Sequence, residues 1–175
     1  MMADAGAPSS AVVGRSRPSA AAGTMEAVSH DTAGRTADPF DLARFVAAQD
    51  DGTYLIASSE LRAGAKRSHW MWFVFPQVAG LGRSTTAQHY AISGLEEARA
   101  YLAHPVLGPR LLECAQILSG LPGRDPVAVF GGIDAVKLRS SMTLFAHADP
   151  TQPLLRAVLE QYFDGQEDPA TTALL

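Results

Sequence analysis

Four Asp-Pro pairs constrain the fold of this chain more than any other feature of its sequence. They are Asp38-Pro39, Asp125-Pro126, Asp149-Pro150 and Asp168-Pro169. An aspartate before a helix, followed by proline in the first turn, is typical of a helix start. Because each pair stands where a segment with helical periodicity begins, the sequence predicts an all-α fold.

The apolar periodicity predicts a single compact domain of about six or seven helices over residues 38–175. Within this range, Ser93 and Glu96 have the spacing of a capping box. The pair Asp125-Pro126 is expected to open a short turn, and Asp134 is expected to open the helix that follows it.

Residues 70–75, Trp-Met-Trp-Phe-Val-Phe, are six consecutive apolar residues without a helical or a strand period. Both assignments remain open for such a run. Because Pro76 closes it, we favour a short central helix that is buried on all sides. The alternative is a two-stranded ribbon formed with a segment near Val127.

Residues 1–37 contain no Leu, Ile, Phe, Tyr or Trp. Such a segment buries too little apolar surface to offset the entropy of ordering it, so we expect a disordered tail. Its apolar stretches, of which 11–13 and 20–22 are the best, are too short for a secretory signal. No apolar run of the chain is long enough to span a bilayer. We therefore expect a cytoplasmic protein.

Charge and cysteine content exclude several classes of function. The net charge of −4 argues against a protein that holds nucleic acid by its phosphates. A single cysteine, Cys114, excludes an intramolecular disulfide and a cysteine-rich zinc site. The histidines show no metal-ligand spacing, so neither a metal site nor a cofactor is expected. The sequence leaves the oligomeric state open.

Two segments combine cations and hydroxyls with strongly apolar neighbours. They are residues 66–77, which continue into the glycine-rich stretch 80–84, and residues 137–145. The only two lysines of the chain, Lys66 and Lys137, begin these segments. Neither segment contains an acid that would neutralise its own cations.

The same segments carry a family resemblance. Ser-His-Trp-Met-Trp-Phe-Val-Phe-Pro-Gln at 68–77 and Lys-Leu-Arg-Ser-Ser-Met-Thr-Leu-Phe at 137–145 resemble the hallmark motifs of the bacterial "domain of unknown function 1810" family. Automatic annotation sometimes labels this family calpastatin-like. The resemblance extends from about Asp38 to Leu175. It implies an all-helical fold and no established activity.

We expect the two segments to form one pocket for a small anionic ligand, such as a nucleotide or a phosphorylated metabolite. In this interpretation the cations neutralise the ligand, the indoles stack on a planar ring, and His69 and Gln77 orient it. The candidate ligand-binding residues are Lys66, Arg67, Ser68, His69, Trp70, Trp72, Gln77, Lys137, Ser140 and Ser141. The alternative function is a protein-interaction module without catalysis.

Each candidate residue also has a purely structural interpretation. His69 is a candidate for proton transfer, or a core histidine bound to a backbone carbonyl. The serines at 140 and 141 either contact a ligand or permit close helix packing. The stretch 80–84 resembles half a phosphate loop, although a glycine-rich corner explains it equally well. No reaction can be assigned.

The pocket interpretation makes a geometric prediction: the two segments meet. Ser140, Ser141 and His69 would then satisfy one another's hydrogen bonds across the pocket, and the cations would await an anion. The competing prediction is that acids from other helices pair with Lys66 and Lys137, so that neither lysine remains available to bind an anion. The acids considered are Glu60, Glu96 and Glu113.

Overall fold

The computed structural model describes residues 38–175, so the predicted tail lies outside the described residues. Between residues 38 and 175 the chain forms nine helices and no strand, which confirms the all-α prediction. The helices are α1 (Ala43–Gln49), α2 (Thr53–Arg62), α3 (Met71–Val74), α4 (Thr85–His89), α5 (Leu95–Ala103), α6 (Leu107–Gly120), α7 (Pro126–Ala148), α8 (Pro153–Phe163) and α9 (Pro169–Thr172). There are more helices than predicted because α4 and α9, which span five and four residues, add to the count.

Two of the Asp-Pro pairs cap helices directly. The side chains of Asp125 and Asp168 accept hydrogen bonds from backbone N–H groups in the first turns of α7 and α9. Asp38 instead accepts from the N–H of Ala43, 2.9 Å away, because a turn with Asp41 at a φ of 51° precedes α1. The Asp149 carboxylate accepts a hydrogen bond from the N–H of Thr151 in the same turn, and the side chain of Gln152 caps α8. The acid positions therefore mark helix starts to within a few residues.

Helix α7 consists of two helical segments joined at a non-helical residue, in agreement with the prediction of a short first element and a new helix after it. Pro126 opens the short segment 126–130, which is helical rather than a turn, and the longer segment follows Gly131. The helix is interrupted at Gly131, whose φ of 73° and ψ of 166° are accessible to glycine at little cost. As a result Asp134 does not open a helix; it lies just after the interruption, and its side chain is available for other partners.

Residues 71–74 form a single helical turn, α3, so the ribbon with Val127 is wrong and Val127 is an exposed residue of α7. Trp70 is buried, but Trp72 and Phe73 are only half-buried, which corrects the expectation of burial on all sides. So short a helix is not stable alone. Gln49 and Tyr101 fix it by donating hydrogen bonds of 2.7 and 3.1 Å to the Phe73 carbonyl.

The capping box before α5 uses a different glutamate from the one predicted. The backbone N–H of Ser93 donates to Glu97 rather than to Glu96, over 2.8 Å. Glu97 is buried and also forms a 2.6 Å ion pair with Arg44. The buried carboxylate is acceptable there because its oxygens are bonded to a cation and to an N–H group.

Helix α7 packs against α5 and α8, and α6 packs against α2, α5 and α8, so the core lies between these long helices. Helix α9 packs on α7 and α3 on α1. None of the helices between residues 38 and 175 has the length and apolar character needed to span a membrane.

Candidate functional site

An open cleft with a volume of about 520 Å³ lies where the two motif segments meet. This volume is in the range of small-molecule sites. The residues that line it are Trp72, Gln77, Leu81, Gly82, Arg83, Ser84, Ala87, Ile133, Val136, Lys137, Ser140, Asp168 and Ala170. Of the candidates named from the sequence, Trp72, Gln77, Lys137 and Ser140 face this cleft.

Each wall of the cleft comes from a different part of the chain. Trp72 lies on α3, and Gln77 follows that helix after Pro76. Lys137 and Ser140 are three residues apart on α7 and therefore share a face. Helix α9 contributes the side of the cleft that contains Asp168 and Ala170.

The glycine-rich corner at 80–84 closes one end of the cleft, and packing explains both of its glycines. Gly80 has a φ of 102°, a conformation that other residues rarely adopt. A Cβ at Gly82 would lie 2.4 Å from the Cβ of Ala87, so glycine lets the corner touch α4. These contacts favour the corner interpretation over the phosphate-loop interpretation.

Both lysines of the chain bind the same carboxylate. The Nζ of Lys66 lies 2.6 Å from Oδ2 of Asp134, and the Nζ of Lys137 lies 2.8 Å from Oδ1. Burial alone would raise the pKa of Asp134, but hydrogen bonds from the two ammonium groups outweigh it and lower the pKa below its usual value. One negative and two positive charges leave the cluster with a net charge of +1.

Each lysine of this cluster also lies over an indole. The Nζ of Lys137 is 4.4 Å from the ring centroid of Trp72, and the Nζ of Lys66 is 5.1 Å from that of Trp70. Cation–π contacts of this length are attractive. The two motif segments therefore meet, and they meet through Asp134 and the indoles.

None of the acids considered from the sequence binds a lysine. Glu96 pairs with Arg99, and Glu113 pairs with Arg62. Glu60 accepts four hydrogen bonds from the first motif. The donors are the backbone N–H groups of Arg67 and Ser68, the Ser68 hydroxyl and the Trp70 indole N–H, at 2.8–3.1 Å.

These bonds give Glu60 a structural role. Burial opposes ionisation, but the four donors outweigh it and lower the pKa of Glu60 to about 2. The Arg67 and Ser68 amides are thereby fixed in a turn, while the Arg67 side chain is exposed and belongs to no ion pair within residues 38–175. Neither Arg67, Ser68 nor Trp70 lines the cleft.

The expected mutual contact of Ser140, Ser141 and His69 is wrong. The Ser140 hydroxyl lies 2.6 Å from that of Thr171, which itself donates to Asp168. Ser140 is therefore the donor, because the single hydroxyl proton of Thr171 is already used. Ser141 is fully buried and its hydroxyl has no partner among the described residues. His69 is exposed and does not line the cleft.

The polar groups that remain available in the cleft are mostly donors. Within residues 38–175 the side chains of Gln77 and Arg83 make no hydrogen bond, and Lys137 binds Asp134 alone. Asp168 is the acid in the lining; its Oδ2 accepts from the N–H and the hydroxyl of Thr171, and its Oδ1 makes no hydrogen bond within residues 38–175. The arrangement favours a ligand that accepts hydrogen bonds.

Sequence reasoning missed part of this cleft. Ile133 and Val136 are exposed apolar residues, 78% and 60% accessible, and no local pattern shows that they border the first motif. Asp134 was interpreted as a helix start, although its i, i+3 spacing to Lys137 was a visible signal of pairing. Arg83 belonged to a glycine-rich stretch whose position was unknown.

Comparison with known proteins agrees with the motif resemblance. A family model described as "Protein of unknown function (DUF1810)" matches residues 39–175. No curated protein matches the chain. A similar solved structure is that of the conserved hypothetical protein Rv1873 from Mycobacterium tuberculosis, with 54% identity and a TM-score of 0.76. That match covers 79% of this chain and 98% of the other. Since the family model spans well over half of the sequence, the chain belongs to the DUF1810 family of proteins of unknown function.

Proposed function

We propose that this protein binds a small molecule with a planar or apolar body and one anionic group in the cleft. The observation that carries the proposal is the set of donors left available there, Gln77, Arg83 and Lys137, in an otherwise apolar lining. A few polar groups on apolar walls are the usual composition of a ligand site. No reaction is implied by this arrangement.

The apolar walls set the shape of the ligand body. Trp72 is half-buried, and its indole forms one wall, with Lys137 over the ring. The other large apolar side chains in the lining are those of Leu81, Ile133 and Val136. Ile133 and Val136 are highly exposed to water, which is unfavourable for aliphatic side chains. A ligand that covers them therefore gains binding free energy from their burial.

The charged side chains in and beside the cleft determine which ligand charge fits. The cluster of Lys66, Lys137 and Asp134 contributes one net positive charge, and Arg83 contributes another. Asp168 opposes them with one negative charge. A ligand with one anionic group, such as a carboxylate or a phosphate monoester of about −1.5 to −2 charge at pH 7, fits this balance better than a polyphosphate, which narrows the nucleotide expectation to singly phosphorylated compounds.

One observation favours the alternative of a protein-interaction module. Leu174 and Leu175 are exposed, and the side chain of Leu174 lies beside Gly80 at the corner of the cleft. The apolar surface therefore continues past the cleft, as it would for an extended segment of a partner protein. If the protein is such a module, small molecules with one anionic group would bind weakly and a peptide would bind more tightly.

We expect compounds with one carboxylate or one phosphate group to stabilise the native state in a thermal-shift experiment. Suitable probes are AMP, glucose 6-phosphate, benzoate and indole-3-acetate at millimolar concentration. A ligand present at 100 times its Kd stabilises by about 2.7 kcal/mol, which is a shift of several degrees for a domain of this size. We expect the planar probes to act more strongly than glucose 6-phosphate, because Trp72 lines the cleft.

Matched variants locate the ligand. Arg83→Gln and Trp72→Leu are expected to remove most of the shift, since they change the anion contact and the apolar wall. Arg124→Gln is the control, because this exposed arginine does not line the cleft. Equal shifts in Arg83→Gln and Arg124→Gln would contradict the proposal, as would the absence of a shift with every probe.

A further inference from the structure

We propose that Lys137 is a carbonyl-reactive lysine, which forms a reversible imine with a planar aldehyde or ketone that carries an anionic group. The inference rests on the proposed function, because it takes the cleft as the ligand site and names the class of ligand. It depends on three features: the paired ammonium groups, the position of Lys137 in the cleft, and the wall formed by Trp72.

The first feature is the proximity of a second cation. Lys66 and Lys137 bind the two oxygens of one carboxylate, at 2.6 and 2.8 Å, so their ammonium groups are neighbours. The side chains of the cluster are largely withdrawn from water, with 8% of Lys66 and 19% of Lys137 and Asp134 exposed. The Asp134 carboxylate offsets one of the two positive charges, so the activation of Lys137 depends on the net positive charge that remains in the cluster and on partial desolvation. A neighbouring cation and desolvation are two ways in which proteins activate a lysine amine as a nucleophile.

The second feature distinguishes the two lysines. The Nζ of Lys66 also donates to the Ser68 carbonyl, at 2.8 Å, and Lys66 does not line the cleft. Within residues 38–175 Asp134 is the only acceptor of Lys137, whose side chain faces the cleft. Lys137 is therefore the amine that a ligand in the cleft reaches, and Lys66 is not.

The third feature positions a planar ligand. The Trp72 ring lies 4.4 Å from the Nζ of Lys137, so a flat carbonyl compound in contact with the indole places its carbonyl carbon near the amine. Arg83 and Gln77 lie on the same cleft and are available for the ligand's anionic group. Correct placement of two reacting groups supplies a large part of the rate acceleration in such additions.

The reaction conserves atoms and charge. Lys137 first gives one proton to solvent, and the Nζ lone pair then forms a bond to the carbonyl carbon. The nitrogen then gives up a second proton while the carbonyl oxygen takes one up, which yields a neutral carbinolamine with a hydroxyl group. Loss of that hydroxyl as water, with one proton taken back from solvent, leaves the protonated imine. Addition of water reverses every step, and no oxidant or reductant takes part.

The composition of the chain makes this testable, because Lys66 and Lys137 are its only lysines. The probe is 4-carboxybenzaldehyde, with sodium cyanoborohydride to trap the imine, and peptide mass spectrometry locates the adduct. We expect Lys137 to be labelled at least about tenfold faster than Nα-acetyl-lysine in the same solution. The alcohol analogue, 4-(hydroxymethyl)benzoate, is expected to slow the labelling by occupying the cleft.

Variants separate activation from simple access. Lys66→Met removes the neighbouring cation and is expected to slow labelling of Lys137 about tenfold, whereas Lys66→Arg keeps the charge and most of the rate. Circular dichroism and the melting temperature verify that each variant is folded. Lys137→Arg is expected to abolish the cleft adduct, whereas Arg124→Gln, outside the cleft lining, is the control that is expected to keep the wild-type rate of Lys137 labelling.

The outcomes for the inference and for the proposed function differ. Labelling of Lys137 no faster than that of Nα-acetyl-lysine, or unaffected by Lys66→Met, overturns the inference. If 4-(hydroxymethyl)benzoate still binds in that case, and binding is lost in Arg83→Gln, the proposed function stands without the covalent step. If neither compound binds, the inference and the proposed function both fail.

Discussion

Replacing Trp70 by alanine is expected to lower the free energy of unfolding by about 3–5 kcal/mol, whereas Trp72→Ala is expected to cost about 1–2 kcal/mol. Trp70 is 1% exposed and packs against Phe75 and Phe130, with ring centroids 6.2 and 6.4 Å away. Its indole N–H also donates to Glu60. Trp72 instead borders the open cleft and loses less contact when truncated.

Urea denaturation followed by circular dichroism measures this difference. Because the chain has two tryptophans, Trp70→Phe and Trp72→Phe each leave one fluorophore. We expect Trp70 to emit at short wavelength and resist iodide quenching, and Trp72 to be quenched readily, since iodide reaches the cleft. Similar losses of stability at the two positions, or equal quenching, would contradict the assignment of Trp70 to the core and Trp72 to the cleft.

This difference between the two indoles shows where sequence reasoning succeeds. An unbroken apolar run indicates burial, and the run at 70–75 does pack into the molecule. The exposure of each member depends on what covers it, and a single turn of helix directs its side chains in every direction. Trp70 is covered by Phe130 from α7, while nothing among the described residues closes the cleft beside Trp72.

The helices follow from local chemistry to a large extent. An acid followed by proline marks the starts of α7 and α9. The acid accepts a hydrogen bond from an N–H group that the first turn leaves unbonded, and proline has no N–H group that would need a partner. The join at Gly131 is different. Whether a glycine ends a helix or only interrupts it depends on the tertiary contacts on both sides, and the sequence carries no local signal of those.

The candidate site was also predictable in part from local chemistry. Cations and hydroxyls amid apolar residues indicate polar groups that need partners, and this correctly directed attention to Lys66 and Lys137. The partner of both, Asp134, was within one helical turn of Lys137 and was visible from the i, i+3 spacing. The partner of the first motif, Glu60, is recognisable only after the turn between α2 and α3 is built.

Removing the Glu60 carboxylate is expected to have the second largest effect on stability. Glu60→Ala leaves four donors of the first motif without their acceptor, and the Trp70 indole N–H is among the buried ones. Hydrogen bonds to a charged group contribute more than neutral ones, and a donor left unbonded costs its desolvation energy. We expect a loss of about 2–4 kcal/mol in urea denaturation.

The pH dependence of stability identifies the carboxylate as the cause. The pKa of Glu60 is about 2 in the native state, against 4.5 for an unperturbed glutamate, so the stability that its carboxylate contributes is fully present above about pH 4.5. That contribution is lost as the pH falls through the window from 4.5 to 2, and it amounts to about 2 kcal/mol after allowance for solvent screening at this half-buried site. Glu60→Gln is expected to be less stable at pH 7 and to lose less on acidification.

The comparison of variants matters because other carboxylates contribute to acid denaturation as well. The pKa values of Asp38, Asp134 and Asp149 are also lowered in the native state, in Asp134 by hydrogen bonds from the two lysines that outweigh its burial. Their contributions are the same in both proteins and cancel in the difference between wild type and Glu60→Gln. Glu160→Gln, at an exposed position, is the control and is expected to follow the wild-type curve. Parallel curves for wild type and Glu60→Gln between pH 7 and pH 2 would mean that the turn of the first motif is held by its packing, and that the four hydrogen bonds add little.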